Sequence, residues 1–351
     1  MNALFIGGTG TISSAITRLI SQLPEWKLFL LNRGTHKDEI PTNVQTLICD
    51  VNDETALQQC LQGMTFDVVC DFICFTPEQA QRDIRLFQGI TKQFIFISSA
   101  SVYQKPLASP YITEGTPLCN LHWEYSRNKI ACEELFMHSY RNNGFPVTIV
   151  RPSHTYSERA VPVAVHGANG SWQVLKRMIE GKPVIIPGDG TTLWTLTHNS
   201  DFAKAFVGLM GNVHAFGEIF QITGDENLTW NQIHELIANA LGVELHPYHV
   251  SSDFLAAIGS QYELEGNLIG DKSNTVIFDN TKLKRAVPDF CASIRFDQGV
   301  RTTISHILSH PELQQPDPEF DLWCDNVISA LEQAKNVQNQ RKMTNFASPL
   351  D

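Results

Sequence analysis

Three side chains in this sequence have the types and spacing for acid–base chemistry at a hydroxyl group: Ser99 in "ISSAS", and Tyr125 and Lys129 in "YSRNK". Tyr125 and Lys129 are four residues apart, which on a helix puts them on one face. A tyrosine hydroxyl ordinarily titrates near ~10, and a neighbouring ammonium together with a positively charged nicotinamide ring would favour the phenolate and lower that value. Such a tyrosine can exchange a proton with a substrate hydroxyl near neutral pH, while Ser99 holds the reacting oxygen. A tyrosine and lysine at this spacing are common by chance. The weight comes from what precedes them, a double serine at a strand end and a glycine-rich turn at the start of the chain.

That turn is "LFIGGTGTIS", in which Gly7, Gly10 and Ser13 take the three places of a GxxGxxG pattern between a strand and a helix. Glycines there allow a sharp turn and close approach of a pyrophosphate. The helix beginning near Thr11 points free N–H groups at that anion. Gly7, Thr9, Gly10, Thr11 and Ile12 are therefore the first candidates for dinucleotide contact. A serine at the third place weakens the match, and a turn with no ligand is the competing reading. The second strand ends in Asn32 and Arg33 rather than an acidic residue. A guanidinium suits a ribose 2′-phosphate, so NADP is favoured over NAD. Asp50 and Val51, closing the third strand, are candidates for the adenine, and Ser98 for the nicotinamide side. Arg33 as a solvated loop charge and Asp50 as a surface residue are the plainer alternatives. With a nicotinamide beside it, the serine–tyrosine–lysine set would couple its proton exchange to hydride transfer, and Lys129 could also hold the nicotinamide ribose.

The elements that must position these groups alternate along the first half. Apolar runs at "ALFIGG", "KLFLLNRG", "VQTLICDV", "FDVVCDFICF", "QFIFISSASVY" and "PVTIVRPS" are separated by helical patterns, one of them opened by Thr76 and Pro77. Apolar strands alternating with helices predict an α/β fold: a Rossmann-like, doubly wound parallel sheet with a smaller mixed C-terminal substrate lobe. The expected division gives residues 1–155 to the dinucleotide-binding domain, with 190–225 returning to it. The lobe takes 156–189 and 226–335, and 336–351 form a loose tail.

The 351 residues carry a formal charge of −11, which disfavours nucleic acid or an anionic membrane as partner. No apolar run approaches a membrane span, and the N-terminus lacks the marks of a leader. The eight cysteines are scattered without a CxxC pair. They read as reduced core thiols of a cytoplasmic protein, with no metal site.

The motifs "GGTGTIS", "CDVND", "SSASVY", "YSRNK", "RPSHTY" and "GDGTTLWTLTHNSDFAKAF", in this order over about the first 210 residues, resemble an extended short-chain dehydrogenase/reductase of the NAD-dependent epimerase/dehydratase family. The resemblance implies bound NAD or NADP, a lobe closing over a small sugar-like substrate, and Arg151, Pro152 and Ser153 at the sheet edge near nicotinamide and substrate. It also implies a homodimer interface, for which "TPEQAQRDIRLFQG" and "YSRNKIACEELFMHSY" are the candidate helices. Two departures stand out. Ala100 and Ser101 follow Ser99 where sugar-nucleotide dehydratases carry acidic residues, which disfavours 4,6-dehydration. Trp194 and Thr195 stand where many members carry an Arg that binds the substrate diphosphate. Either Arg159, Lys176 or Arg177 substitutes, or the substrate lacks a diphosphate. Ser101, Trp123, His154 and Trp194 are the candidate substrate contacts, with His122 and His166 as further histidines near the site. Epimerisation and simple ketone reduction share the same three residues, so both remain open. A non-catalytic or RNA-binding member of the fold is the rival from another class; some plant chloroplast RNA-binding proteins resemble the "GGT" and "LLNRG" segments.

Overall fold

The computed structural model describes residues 1–34 and 40–346. Five strands open the chain: β1 (Asn2–Ile6), β2 (Lys27–Asn32), β3 (Gln45–Ile48), β4 (Val68–Asp71) and β5 (Phe94–Ile97). With the strands Val147–Pro152 and Ile219–Ile222 they form one seven-stranded sheet. Its order is β3, β2, β1, β4, β5, 147–152, 219–222, and every pairing is parallel. The order reverses between β1 and β4, so a crevice opens at their carboxyl ends, where such sheets bind ligands.

Both faces of the sheet are covered, which is why its strands read as apolar runs rather than alternating ones. Successive side chains still point to opposite faces. Ala3, Phe5, Ile95 and Ile97 join one core, and Leu4, Ile6, Phe94 and Phe96 join the other. The first core lies under α1 (Ser13–Ser21) and the helix Asn199–Leu209; the second lies under α2 (Glu54–Cys60), α3 (Pro77–Phe87) and α4 (Glu124–Asn143). Helix α3 starts with a full capping box, in which Thr76 and Gln79 satisfy each other's backbone N–H groups and Pro77 fills the first turn. Such a cap is worth about 1 kcal/mol. Helix α4, which carries Tyr125 and Lys129, ends at Gly144 in the left-handed conformation.

The remaining chain builds a separate core around Trp194, Trp230, Ile233 and Ile304. A three-stranded sheet (Asn227–Thr229, Leu193–His198, His154–Tyr156) lies over the carboxyl edge of the main sheet's neighbourhood, continuing from the end of strand 147–152. Strand 193–198 pairs with 227–229 and 154–156 and not with the large sheet, whereas strand 219–222 pairs with 147–152 in the large sheet. Leu283 and Phe290, in a segment expected in the lobe, pack into the core beneath α1. The mixed region after residue 250 contains a π-helix, Glu265–Lys272, a form with a wider turn than the α-helix and frequent near functional sites. The stretch 336–346, expected as loose tail, continues the helix Pro318–Phe346; 347–351 lie outside the described residues. No described helix is long and apolar enough to cross a membrane.

Candidate active site

Two neighbouring cavities lie at the carboxyl edge of the sheet. The larger, about 760 Å³, is a groove lined by Gly7, Thr9, Gly10, Thr11, Ile12, Asn32, Arg33, Asp50 and Val51, together with Phe72, Ile73, Phe75 and Ile97. The smaller, about 250 Å³, is lined by Ser99, Ser101, Trp123, Tyr125, Pro152, Ser153, His154 and Trp194, together with Lys105, Asp271, Lys272 and Phe278. Phe75 on the groove and Tyr125 on the smaller cavity sit with ring centroids 6.4 Å apart.

The groove fits a dinucleotide by its own geometry. Gly7 has φ +82, and a Cβ there would lie 2.7 Å from the Ile73 side chain, so only glycine suits this turn. Helix α1 has no side-chain cap and no acidic residue in its first turn. Its first N–H groups and its dipole are thus left to an anion in the groove. Ser13 does more than pack closely. Its hydroxyl donates to the Gly7 carbonyl at 2.8 Å and accepts from the Gly10 N–H at 2.9 Å, bracing the turn from within. At the adenosine end, the Asn32 carboxamide accepts from Gly34 N–H, and Asp50 accepts from Asn52 N–H. Arg82, which the sequence reading did not single out, is buried under this end. It ties Asp83 to the Val51 carbonyl and so links α3 to the groove floor.

The smaller cavity brings Ser99 and Tyr125 together. Ser99 caps a short 3₁₀ turn, Ala100–Val102, with its hydroxyl accepting from Ser101 N–H at 3.2 Å. Ser126 donates to the Ser101 hydroxyl at 2.7 Å, and the Ser101 and Ser99 hydroxyls are 2.9 Å apart. Asn120 fixes this turn to the lobe by donating to both the Ser101 and Gly270 carbonyls. Neither Ser126 nor Asn120 carries a signal in the sequence, because each acts only through tertiary contacts. The π-helix approaches closely enough that a Cβ on Gly266 would lie 2.4 Å from the Trp123 ring. Trp123 in turn packs against Tyr125 at 5.0 Å.

Lys129 is 1% exposed and lines neither cavity. Its ammonium donates to the carbonyls of Cys74 at 2.6 Å and Ile97 at 2.7 Å, and lies 5.7 Å from the centre of the Tyr125 ring. Burial pulls the Lys129 pKa down. Burial also pushes the Tyr125 hydroxyl up, opposed by the Ser99 hydroxyl beside it and reinforced by the Asp271 carboxylate. Without the nicotinamide charge that the expected lowering also calls on, desolvation of the phenolate sets the direction of the Tyr125 shift.

Other expected residues take different places. Arg151 is buried, pairs with Glu133 on α4 and lies 4.9 Å over the Tyr103 ring. It orients α4 and does not face the substrate cavity. Ser98 is buried beside Ser99 with its hydroxyl unpartnered among the described residues. Arg177 pairs with Asp321 and Asp325, and Lys176 with Glu180. Neither Arg177 nor Lys176 lines the two cavities, and Arg159 lines the groove. Burial, helped by Lys272, pushes His154 down to about 3, so it is a neutral ring at working pH. His166 bonds the Gly167 carbonyl and shares an adjoining space with His154. His122 faces Glu265 at 3.4 Å. Among the described residues no three His, Cys, Asp or Glu side chains gather as a metal site.

This fold and site define a dinucleotide-dependent enzyme class, and the comparisons give the family. The model of the NAD dependent epimerase/dehydratase family matches residues 3–223, and the chain belongs to it. It is an NAD(P)-dependent oxidoreductase or epimerase of the extended short-chain dehydrogenase type. A 2′-dehydrokanamycin reductase of Streptomyces kanamyceticus is 23% identical over 291 residues, 83% of this chain and 80% of its own. A chloroplast stem-loop binding protein of 41 kDa from Arabidopsis thaliana is 25% identical over 252 residues, 68% of this chain and 63% of its own. Among solved structures, a UDP-glucuronic acid 4-epimerase of Bacillus cereus in complex with UDP-glucuronic acid and NAD shares the fold. Its TM-score is 0.70 at 19% identity, with 88% of this chain and 99% of that one covered.

Proposed function

We propose that this enzyme transfers hydride reversibly between NADP and a secondary alcohol or ketone of a small sugar-like substrate. The observation that carries the reading is the placement of Ser99 and Tyr125 in one cavity beside the glycine-turn groove, with Lys129 buried behind them. When bound, NAD(P) supplies the hydride donor or acceptor. Ser99 holds the reacting oxygen by a hydrogen bond. Tyr125 passes a proton to that oxygen in reduction and takes it back in oxidation. Lys129, held on two strand-end carbonyls, keeps a fixed positive charge near the phenol. Together with the charge of an oxidised nicotinamide, it offsets the burial that holds the phenol protonated. Arg33 at the groove supports NADP by offering a cation to a 2′-phosphate. The curated relative named as a reductase supports reduction. The net charge of −11 and the complete Ser99, Tyr125 and Lys129 set weigh against an RNA-binding role.

The test identifies any nucleotide released on denaturation, then screens sugar ketones for NADPH oxidation and sugars for isomer interconversion without added cofactor. Tyr125→Phe is expected to lower turnover about 10³-fold while changing cofactor affinity little. Unchanged turnover overturns the assignment. Arg33→Ala is expected to weaken NADP about tenfold and leave NAD unaffected; equal losses remove the NADP preference.

A further inference from the structure

We infer that the catalytic cavity contains a subsite for an oxyanion carried by the substrate, held by Lys105 and Lys272. The inference rests on the proposed hydride-transfer reading of that cavity and adds the substrate's charge class to it.

Lys105 and Lys272 come from opposite sides of the site, one from the loop after Tyr103 and the other from the end of the π-helix. Each is only 6% exposed, and both line the cavity that holds Ser99 and Tyr125. Their main chains are fixed. Lys105 N–H donates to the Cys119 carbonyl, and the Lys272 carbonyl accepts from the Trp230 indole at 2.9 Å. The ammonium groups are less well satisfied. Lys272 Nζ donates to Asn267 Oδ1 at 3.0 Å, which uses one of its three donors. Lys105 Nζ makes no hydrogen bond or ion pair among the described residues; its recorded partner is the longer-range attraction of Asp271. Trp194, 3% exposed and stacked on Trp230 at 5.6 Å, leaves its Nε1 without an acceptor.

A buried ammonium without a counter-ion is costly, and this cavity keeps two with one carboxylate, Asp271, between them. His154 is neutral and adds no charge. The lining therefore sets two lysine side chains against a single carboxylate, in a space that also holds the reacting groups. An oxyanion would supply the missing counter-charge by accepting from the lysines. Burial pulls both lysines down, and the anion's arrival would hold them protonated. A volume of about 250 Å³ suits a monosaccharide-sized ligand. A sugar carboxylate and a sugar phosphate share the required chemistry.

The test is calorimetric titration of the NADP-loaded protein with glucuronate, glucose 6-phosphate, glucose and glucosamine, which differ in charge on one sugar scaffold. At least one of the two anionic sugars is expected to bind tenfold or more tightly than glucose. Which of them binds decides between carboxylate and phosphate. Lys105→Gln and Lys272→Gln should each remove that advantage, with NADP binding retained as the check on folding. In the wild-type protein, the bound anion should shield Lys105 and Lys272 from acetylation mapped by mass spectrometry, a readout that needs no variant. Equal binding of glucose or glucosamine overturns the inference. So does anion binding that survives both substitutions, or absence of anion binding in protein that binds NADP. Failure to bind NADP, with the anion preference intact, would instead remove the hydride-transfer reading and leave the subsite.

Discussion

The dinucleotide groove and the catalytic cavity are neighbours, yet they are built in opposite ways. The groove comes from short stretches that each follow a strand of one sheet: residues 7–13 after β1, 31–33 at the end of β2, 49–52 after β3 and 72–79 after β4. Each stretch is shaped by local rules of turn and cap. The cavity draws on residues 99–105, 123–125 and 152–154, from one βαβ unit of the sheet, and on 194 and 271–278, which the lobe brings to them from far along the chain. Its geometry depends on the lobe docking against the sheet through Asn120, Gly266 and Trp123. The groove is thus set by local backbone geometry, and the cavity by long-range packing.

Three changes sharpen this contrast. The largest effect is expected where the cavity depends on a buried charge. Arg151→Met leaves Glu133 on α4 buried without its partner, and should destabilise the fold by about 3–5 kcal/mol in denaturant melts. A loss under 1 kcal/mol would mean that packing alone places α4.

Acid should strain the lobe next. His234 is buried with Nδ1 on the Trp230 carbonyl, and burial pushes it down to about 4. The unfolded chain takes up this proton near pH ~6.5, whereas the folded chain does not until about pH 4. Stability is then full above pH ~6.5 and falls as the pH drops, by up to ~3 kcal/mol. His234→Gln should flatten this part of the pH–stability curve, and an unchanged curve would remove His234 as its cause.

The smallest change addresses the groove. If Ser13 merely fills the third place of the glycine pattern, Ser13→Ala is neutral. As the brace between Gly7 and Gly10, its loss should cost about 1–2 kcal/mol in thermal or chemical unfolding.

The same contrast explains what could be read from the sequence. The doubly wound parallel sheet follows from alternating apolar runs and right-handed crossovers, whereas its strand order is a tertiary fact. The groove residues from Gly7 to Val51 follow from turn chemistry, and the Thr76 cap forms as a full capping box. Ser99, Tyr125 and Trp194 were legible as types at known spacings. Lys105, Asp271 and Lys272 were not, because nothing near them in the chain marks them out; only the π-helix and the loop after Tyr103 bring them to one cavity. Arg151 was legible as a sheet-edge residue, but its direction was not, since a strand's alternation fixes the face while the partner on α4 is a tertiary fact. The burial of Lys129 and Tyr125 was not legible either, because spacing reports proximity and says nothing of burial.

The central claim is that the turn at Gly7–Ser13 holds a nicotinamide dinucleotide in the groove beside Tyr125. Calorimetric titration of the purified protein with NADP and NAD, repeated on Gly7→Ala, tests it most directly. The account predicts saturable one-to-one binding, tighter for NADP, and its loss in a folded Gly7→Ala protein, where the turn needs φ +82 and the Cβ meets Ile73. Binding of neither dinucleotide, or equal binding by Gly7→Ala, would contradict it.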